Sequence, residues 1–204
     1  MRVTLLFHTP LSVCSHATRT CWQSFEKGDC GGEKDKELID RVGNKFKNAS
    51  TLENLNYNFY IQEISRACLQ ELARHRHASF SVKSTRYTLK ELRNEAKFRE
   101  NDFENAGRYL VFCGNEAVDN ASIKALENLR ELLQTSISLD LAKYCLPESY
   151  KTELTFSINA RSLQNFLSLR SSKSALWEIR ALARALFEAL PEEHCFIFEH
   201  CMQD

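Results

Sequence analysis

The chain of 204 residues has little of what builds the common phosphate cradles: it holds six glycines and three prolines. The glycines, at 28, 31, 32, 43, 107 and 114, form neither Gly-x-Gly-x-x-Gly nor Gly-x-x-x-x-Gly-Lys-Ser/Thr. A Rossmann or P-loop nucleotide site is therefore unsupported. No Gly-x-Ser-x-Gly turn offers a hydrolase nucleophile. An excess of charge is missing too, with 27 Lys and Arg against 27 Asp and Glu. This argues against a generic polyanion binder, whose affinity comes from releasing counterions. It also removes a polybasic reason to sit on an anionic membrane. No run approaches the roughly 18–20 apolar residues of a membrane span. The short apolar run Val3 to Phe7 meets His8, Thr9 and Pro10, and reads as a first β-strand rather than a signal peptide.

Cys-x-x-Cys is absent as well. The eight cysteines are scattered at 14, 21, 30, 68, 113, 145, 195 and 201. Reduced thiols and a cytoplasmic location are the expectation. The nearest metal-like patterns are Cys14-Ser15-His16 with Cys21, and His194-Cys195 with His200-Cys201. Neither has zinc-site spacing, and no metal is expected.

What is present is ordinary globular composition, 43% hydrophobic and 26% charged. The length suits one domain over residues 1–204. The pattern predicts a strand at 2–8, loop over 14–34, a helix over Asp35–Phe46 and a strand over Leu55–Ile64. A helix from Ser65 places Ile64, Cys68, Leu72 and His75 on its apolar stripe. Residues 80–89 read as extended, because Thr85, Tyr87 and Thr88 favour strand. A short helix near 90–98 and a strand at 109–113 follow. Asn120 is the expected N-cap of a helix to about Ser136. A short helix over 138–146, a strand over Thr152–Ile158, a helix over Ala160–Arg170 and a helix over Ser174–Leu190 complete the chain. The fold class is a single mixed α/β domain, a central β-sheet flanked by helices.

Neutral overall, the chain is locally cationic. Between Arg66 and Arg93 stand seven basic residues and two acids, Glu71 and Glu91. Ser79, Ser81, Ser84, Thr85 and Tyr87 interleave with them. Arginine forks with hydroxyl donors are what phosphate oxygens require. In the helix 160–170, Arg170 continues the face of Leu163, Phe166 and Leu167, while Arg161 and Asn165 lie on a polar face. Two separate segments steering arginines inward point to an anion-binding pocket. The alternative is a non-catalytic nucleotide or nucleic-acid module built on 66–93, but its aromatics for base stacking are only Phe80 and Tyr87.

The run Arg74-His75-Arg76-His77-Ala78-Ser79-Phe80-Ser81-Val82-Lys83-Ser84-Thr85-Arg86-Tyr87 resembles the motif of the flavin-dependent thymidylate synthases: Arg-His-Arg, seven residues, Ser, any residue, Arg and Tyr. A later segment, Asn159-Ala160-Arg161-Ser162-Leu163 with Asn165-Phe166-Leu167 and Leu169-Arg170, resembles another segment of that family. The resemblance implies reductive methylation of dUMP to dTMP, with methylenetetrahydrofolate as carbon donor and FAD as hydride carrier reduced by NADPH. It implies a non-Rossmann fold, a homotetramer with shared active sites, and neither nucleic acid nor membrane as partner. Carried over by position, Ser50, Glu53, Arg74, His75, Arg76, Val82, Asn159, Arg161 and Asn165 contact the flavin. Glu71, Arg74, Ser84, Thr85, Arg86, Lys143 and Arg170 contact the nucleotide. Arg170 is the catalytic residue implied, favouring the uracil form ionised at its ring nitrogen. Departures from the family pattern are Glu71 for Gln, Ser81 for an Asn within the motif, Lys143 for Arg, and Asn48 and Asn54 for two histidines.

Overall fold

The strand Asn56–Ser65 (β2) explains itself by alternation: Tyr57, Phe59 and Ile61 are buried and their neighbours are not, as in a sheet with one packed face. The phase slips at Glu63, whose φ of 60° is left-handed, so that Ile64 and Ser65 are buried next to each other. One extra residue in a strand produces this kind of slip. The computed structural model describes residues 1–203.

In chain order the elements are β1 (Arg2–His8), α1 (Leu11–Thr20), α2 (Glu33–Ile39), β2 (Asn56–Ser65), α3 (Arg66–Leu72), β3 (Ala78–Val82), α4 (Thr85–Thr88), α5 (Phe103–Ala106), α6 (Glu116–Leu133), α7 (Leu139–Ala142), β4 (Lys151–Asn159), α8 (Ala160–Arg170) and α9 (Trp177–Glu188). The four strands form one sheet in the order β1-β2-β4-β3. Backbone bonds from Thr9 to Asn56, Ala160 to Leu55 and Lys83 to Glu153 join the end of one strand to the beginning of the next, which makes the pairs antiparallel. The fold is mixed α/β, and among the described residues no helix is long and apolar enough to cross a membrane.

The chain divides into two compact units. The first comprises 1–61, 72–81 and 155–204. A polar anchor within it is Asp35, which is 1% exposed and accepts from Arg19 Nη2 at 2.7 Å, Ser15 Oγ at 2.8 Å and the Gly31 N–H at 2.8 Å. The second comprises 62–71 and 82–154. There the α6 leucines pack with Leu89, Leu92, Phe98, Leu110 and Tyr150. A buried Arg130–Glu127 pair at 2.7 Å, whose carboxylate also receives the Phe98 N–H, lies beside that core.

Several local expectations give way. Residues 14–34 are not loop throughout, because α1 runs to Thr20, its Ser15 and Arg19 tied to Asp35. After Ile39 the predicted helix continues as π-helix over Asp40–Lys45. Thr85–Thr88 forms a helical turn instead of strand, with Thr88 Oγ1 donating to the Ser84 carbonyl. The stretch 109–113 makes only a bridge between Leu110 and Tyr150. The α6 N-cap is Asn115, which accepts from the Val118 N–H, five residues earlier than expected. The last helix begins at Trp177. His75 lies past the end of α3, in a turn where its N–H bonds to the Leu72 carbonyl. All eight cysteines are free thiols.

Candidate active site

The Arg-His-Arg-His segment occupies the turn between α3 and β3, within the first unit. Helix α8 presents the facing wall. Its start is fixed by Asn159, whose side chain accepts from the Ser162 N–H at 2.9 Å and satisfies one of the orphan donors of the first turn. Leu163, Phe166 and Leu167 are buried in the unit's core. The opposite face is thereby left outward, carrying Arg161, Ser162, Asn165 and Leu169.

Between these segments is a pocket of about 930 Å3, lined by Arg74, His75, Arg76 and His77, by Asn159, Arg161, Asn165 and Arg170, and by Glu53. Arg170 was placed by periodicity on the apolar face, away from Arg161 and Asn165. Its long side chain still reaches the pocket, where Nε donates to His75 Nε2 at 3.0 Å. An accepting Nε2 places the His75 ring proton on Nδ1. The ring itself stands edge-on to Phe166, with centroids 4.8 Å apart. A core phenylalanine thus holds the imidazole that holds the arginine.

Four arginines line this pocket and one carboxylate answers them. Arg161 Nη1 meets Glu53 Oε1 at 2.7 Å. Arg74 and Arg76 have no ion-pair partner among the described residues. A concave wall of four guanidinium forks answered by a single carboxylate fits a diphosphate or phosphate-bearing ligand. The amides of Asn159 and Asn165 add polar donors and acceptors.

Eight of the expected contacts line this one pocket: Glu53, Arg74, His75, Arg76, Asn159, Arg161, Asn165 and Arg170. Ser50 is in the same unit but does not line it, and its Oγ donates to Asn48 Oδ1 at 3.0 Å. Asn48 and Thr51 line a separate cavity of about 670 Å3 with Arg19, Trp22 and Arg41. Glu71, Val82, Ser84, Thr85, Arg86 and Lys143 belong to the second unit. There Ser84 is the N-cap residue of α4, and Arg86 pairs with Asp140 through Nε at 2.5 Å and Nη2 at 3.2 Å. That hydrogen-bonded carboxylate raises the already high pKa of Arg86. The pair is exposed on both sides and correspondingly weak. Lys143 is exposed at the start of the 3-10 segment Lys143–Cys145.

Residue reading missed His77, Ser162 and Leu169 as pocket-lining groups. Each had a signal: His77 extends the basic run, Ser162 is adjacent to Arg161, and Leu169 lies one turn beyond Asn165. Asp140 carried none, being 54 residues from its partner.

The family model described as "Thymidylate synthase complementing protein" matches residues 4–194. A flavin-dependent thymidylate synthase of Campylobacter jejuni is 86% identical over 202 residues, 99% of this chain and 98% of its own. The enzyme of that name from Wolinella succinogenes is 72% identical over 198 residues, 97% of each chain. Among solved structures, the Helicobacter pylori flavin-dependent thymidylate synthase complexed with FAD and dUMP superimposes with a TM-score of 0.95 at 59% identity, over 100% of both chains. With matches of this extent, the chain belongs to the thymidylate synthase complementing protein family.

Proposed function

We propose that this protein converts dUMP to dTMP by reductive methylation, binding FAD through the arginine-lined pocket. Methylenetetrahydrofolate is the carbon donor and NADPH the reductant. The working form is a cytoplasmic homotetramer with shared active sites. The observation that carries the reading is the pocket itself: Arg74, His75 and Arg76 from one segment and Asn159, Arg161, Asn165 and Arg170 from another line one cavity of flavin-accommodating size.

FAD, when bound, supplies hydride carriage. The protein's own groups do the rest. Arg74 and Arg76 neutralise phosphate oxygens by charge-assisted hydrogen bonds, which are the strong ones. Asn159, Arg161 and Asn165 hold the polar parts of the cofactor, Glu53 fixes Arg161, and Ser50 and Val82 add flavin contacts. The nucleotide phosphate is taken by the Ser84 hydroxyl, the Thr85 N–H and the Arg86 fork. Glu71, Arg74 and Lys143 supply further nucleotide contacts.

Arg170 is the catalytic residue of this reading. A guanidinium in a partly desolvated pocket favours an anionic uracil ring over a neutral one and so makes the carbon to be methylated more nucleophilic. His75 keeps that cation in place through its Nε. No cysteine nucleophile is required.

The test is an anaerobic assay on purified protein with added FAD. Oxidation of the reduced flavin that depends on dUMP and methylenetetrahydrofolate, with dTMP formed, is the expected result. A protein that takes up no flavin, or oxidises it without regard to dUMP, contradicts the proposal.

A further inference from the structure

His8 ends β1, and His194 lies in the 3-10 segment Glu192–Ile197 that follows Pro191. The chain brings these two rings together edge-on, with centroids 5.0 Å apart. Glu193 joins them, its Oε1 3.9 Å from His8 Nε2. One donor atom from each of the three side chains lies within 4.8 Å of the others. None of the three lines the arginine pocket, so the flavin site does not account for them.

The cluster is graded from rigid to adaptable. His194 is 1% exposed, and its Nδ1 is 2.8 Å from the hydroxyl of the buried Tyr57. This leaves Nε2 without a protein hydrogen-bond partner among the described residues. A metal-ligating histidine characteristically has its other nitrogen held by such an outer group, which fixes the tautomer and the ring plane. With the ring proton on Nδ1, Tyr57 accepts it and the Nε2 lone pair is available. His8 is half-buried at the strand end and Glu193 is exposed, so these two have the freedom to close on an ion.

We propose that His8, Glu193 and His194 bind a divalent transition-metal ion, filled by Zn2+ with water at the fourth position, clipping the end of β1 to the Glu192–Ile197 segment. Two imidazoles and one carboxylate are a donor set that zinc accepts at distances of about 2.0–2.2 Å, whereas Mg2+ and Ca2+ require oxygen-rich sites. The clip joins the two ends of the chain inside the first unit, so the ion stabilises the folded state by mass action and by closing a long loop. The site is structural, separate from the methylation chemistry.

The experiment uses full-length, untagged, reduced protein stripped with chelator and titrated with ZnCl2, followed by calorimetry and thermal unfolding. Co2+ serves as a spectroscopic probe of the ligand set, with MgCl2 as control. Wild type takes up Zn2+ at this site and gains about 5–10 °C in Tm when the ion is a hundredfold above its Kd. His8→Ala and Glu193→Gln each weaken binding at least tenfold and lose that Tm gain, with the metal-free Tm and the thymidylate-forming activity unchanged. His194→Gln is set aside because it also removes the Tyr57 contact. Zn2+ binding that survives intact in both variants belongs to the exposed thiols and overturns the proposal, as does the absence of any Zn2+-dependent rise in the wild-type Tm.

Discussion

Arg19 and Arg74 carry the same guanidinium within one compact unit, yet their surroundings are opposite. Arg19 is 7% exposed and its fork is spent on Asp35, itself bound by Ser15 and the Gly31 N–H. Arg74 is exposed at the wall of a cavity whose single carboxylate, Glu53, is paired with Arg161, and has no ion-pair partner of its own among the described residues. The second unit repeats the first pattern with Arg130 on Glu127 and, toward the surface, Arg108 on Glu95 at 2.9 Å. A cation that serves the fold is neutralised by the fold, because a buried charge without a partner costs several kcal/mol. A cation left without a partner in a concave site is reserved for an anion from outside. Arg86 stands between the cases, its carboxylate partner being solvated enough for a phosphate to compete with it.

The contrast is broken most severely at Asp35. Replacing it with Ala leaves Arg19 buried without a counter-charge, and should lower stability by about 3–5 kcal/mol and Tm by on the order of 10 °C. Burial alone would raise the Asp35 pKa. The hydrogen bonds from Arg19, the Gly31 N–H and Ser15 outweigh it and hold the carboxyl below its ordinary 3.8. Because the folded pKa is the lower one, this stabilisation is complete above the unfolded value and disappears as pH falls through the folded one. Acid unfolding of wild type against Asp35→Asn should therefore converge at low pH and diverge toward neutrality.

Arg170→Ala comes next. Turnover should fall by roughly 10²–10³-fold or more while the thermal midpoint stays near that of wild type, since the role proposed for this half-exposed side chain is electrostatic. Single-turnover flavin oxidation and a melting curve separate the two. Smaller still is Arg74→Ala, which loses one charge-assisted contact and should weaken FAD binding by about ten- to a hundredfold, with a steeper salt dependence in wild type than in the variant. Smallest is Asp140→Asn. An exposed pair contributes on the order of 1 kcal/mol or less, so calorimetry should find the midpoint almost unmoved.

Reading from residues succeeded where one segment contained its own instructions. Helix α8 was bounded correctly at Ala160 and Arg170 because the Asn159 cap and the Leu163-Phe166-Leu167 stripe are both local. Strand β1 was legible from its short apolar run and β2 from its alternation. Helix α1 was not, because Ser12, Ser15, His16 and Thr18 are weak helix formers and the segment is held by Asp35 from another element. Thr85–Thr88 failed for the reverse reason, β-branched propensity yielding to a side-chain bond back to Ser84. The pocket was largely legible, since its two walls are two contiguous motifs. Invisible were the pairings across long separations: Arg86 with Asp140, Arg170 with His75, and His8 with Glu193 and His194.

The central claim, that pocket arginines without protein partners are reserved for the flavin, is tested most directly by FAD binding to the Arg74→Ala/Arg76→Ala double variant, read by quenching of flavin fluorescence. Affinity should fall at least about a hundredfold, two charge-assisted contacts being lost, with a melting midpoint equal to that of wild type. Unchanged FAD affinity, or a collapse of stability like that of Asp35→Ala, would contradict it.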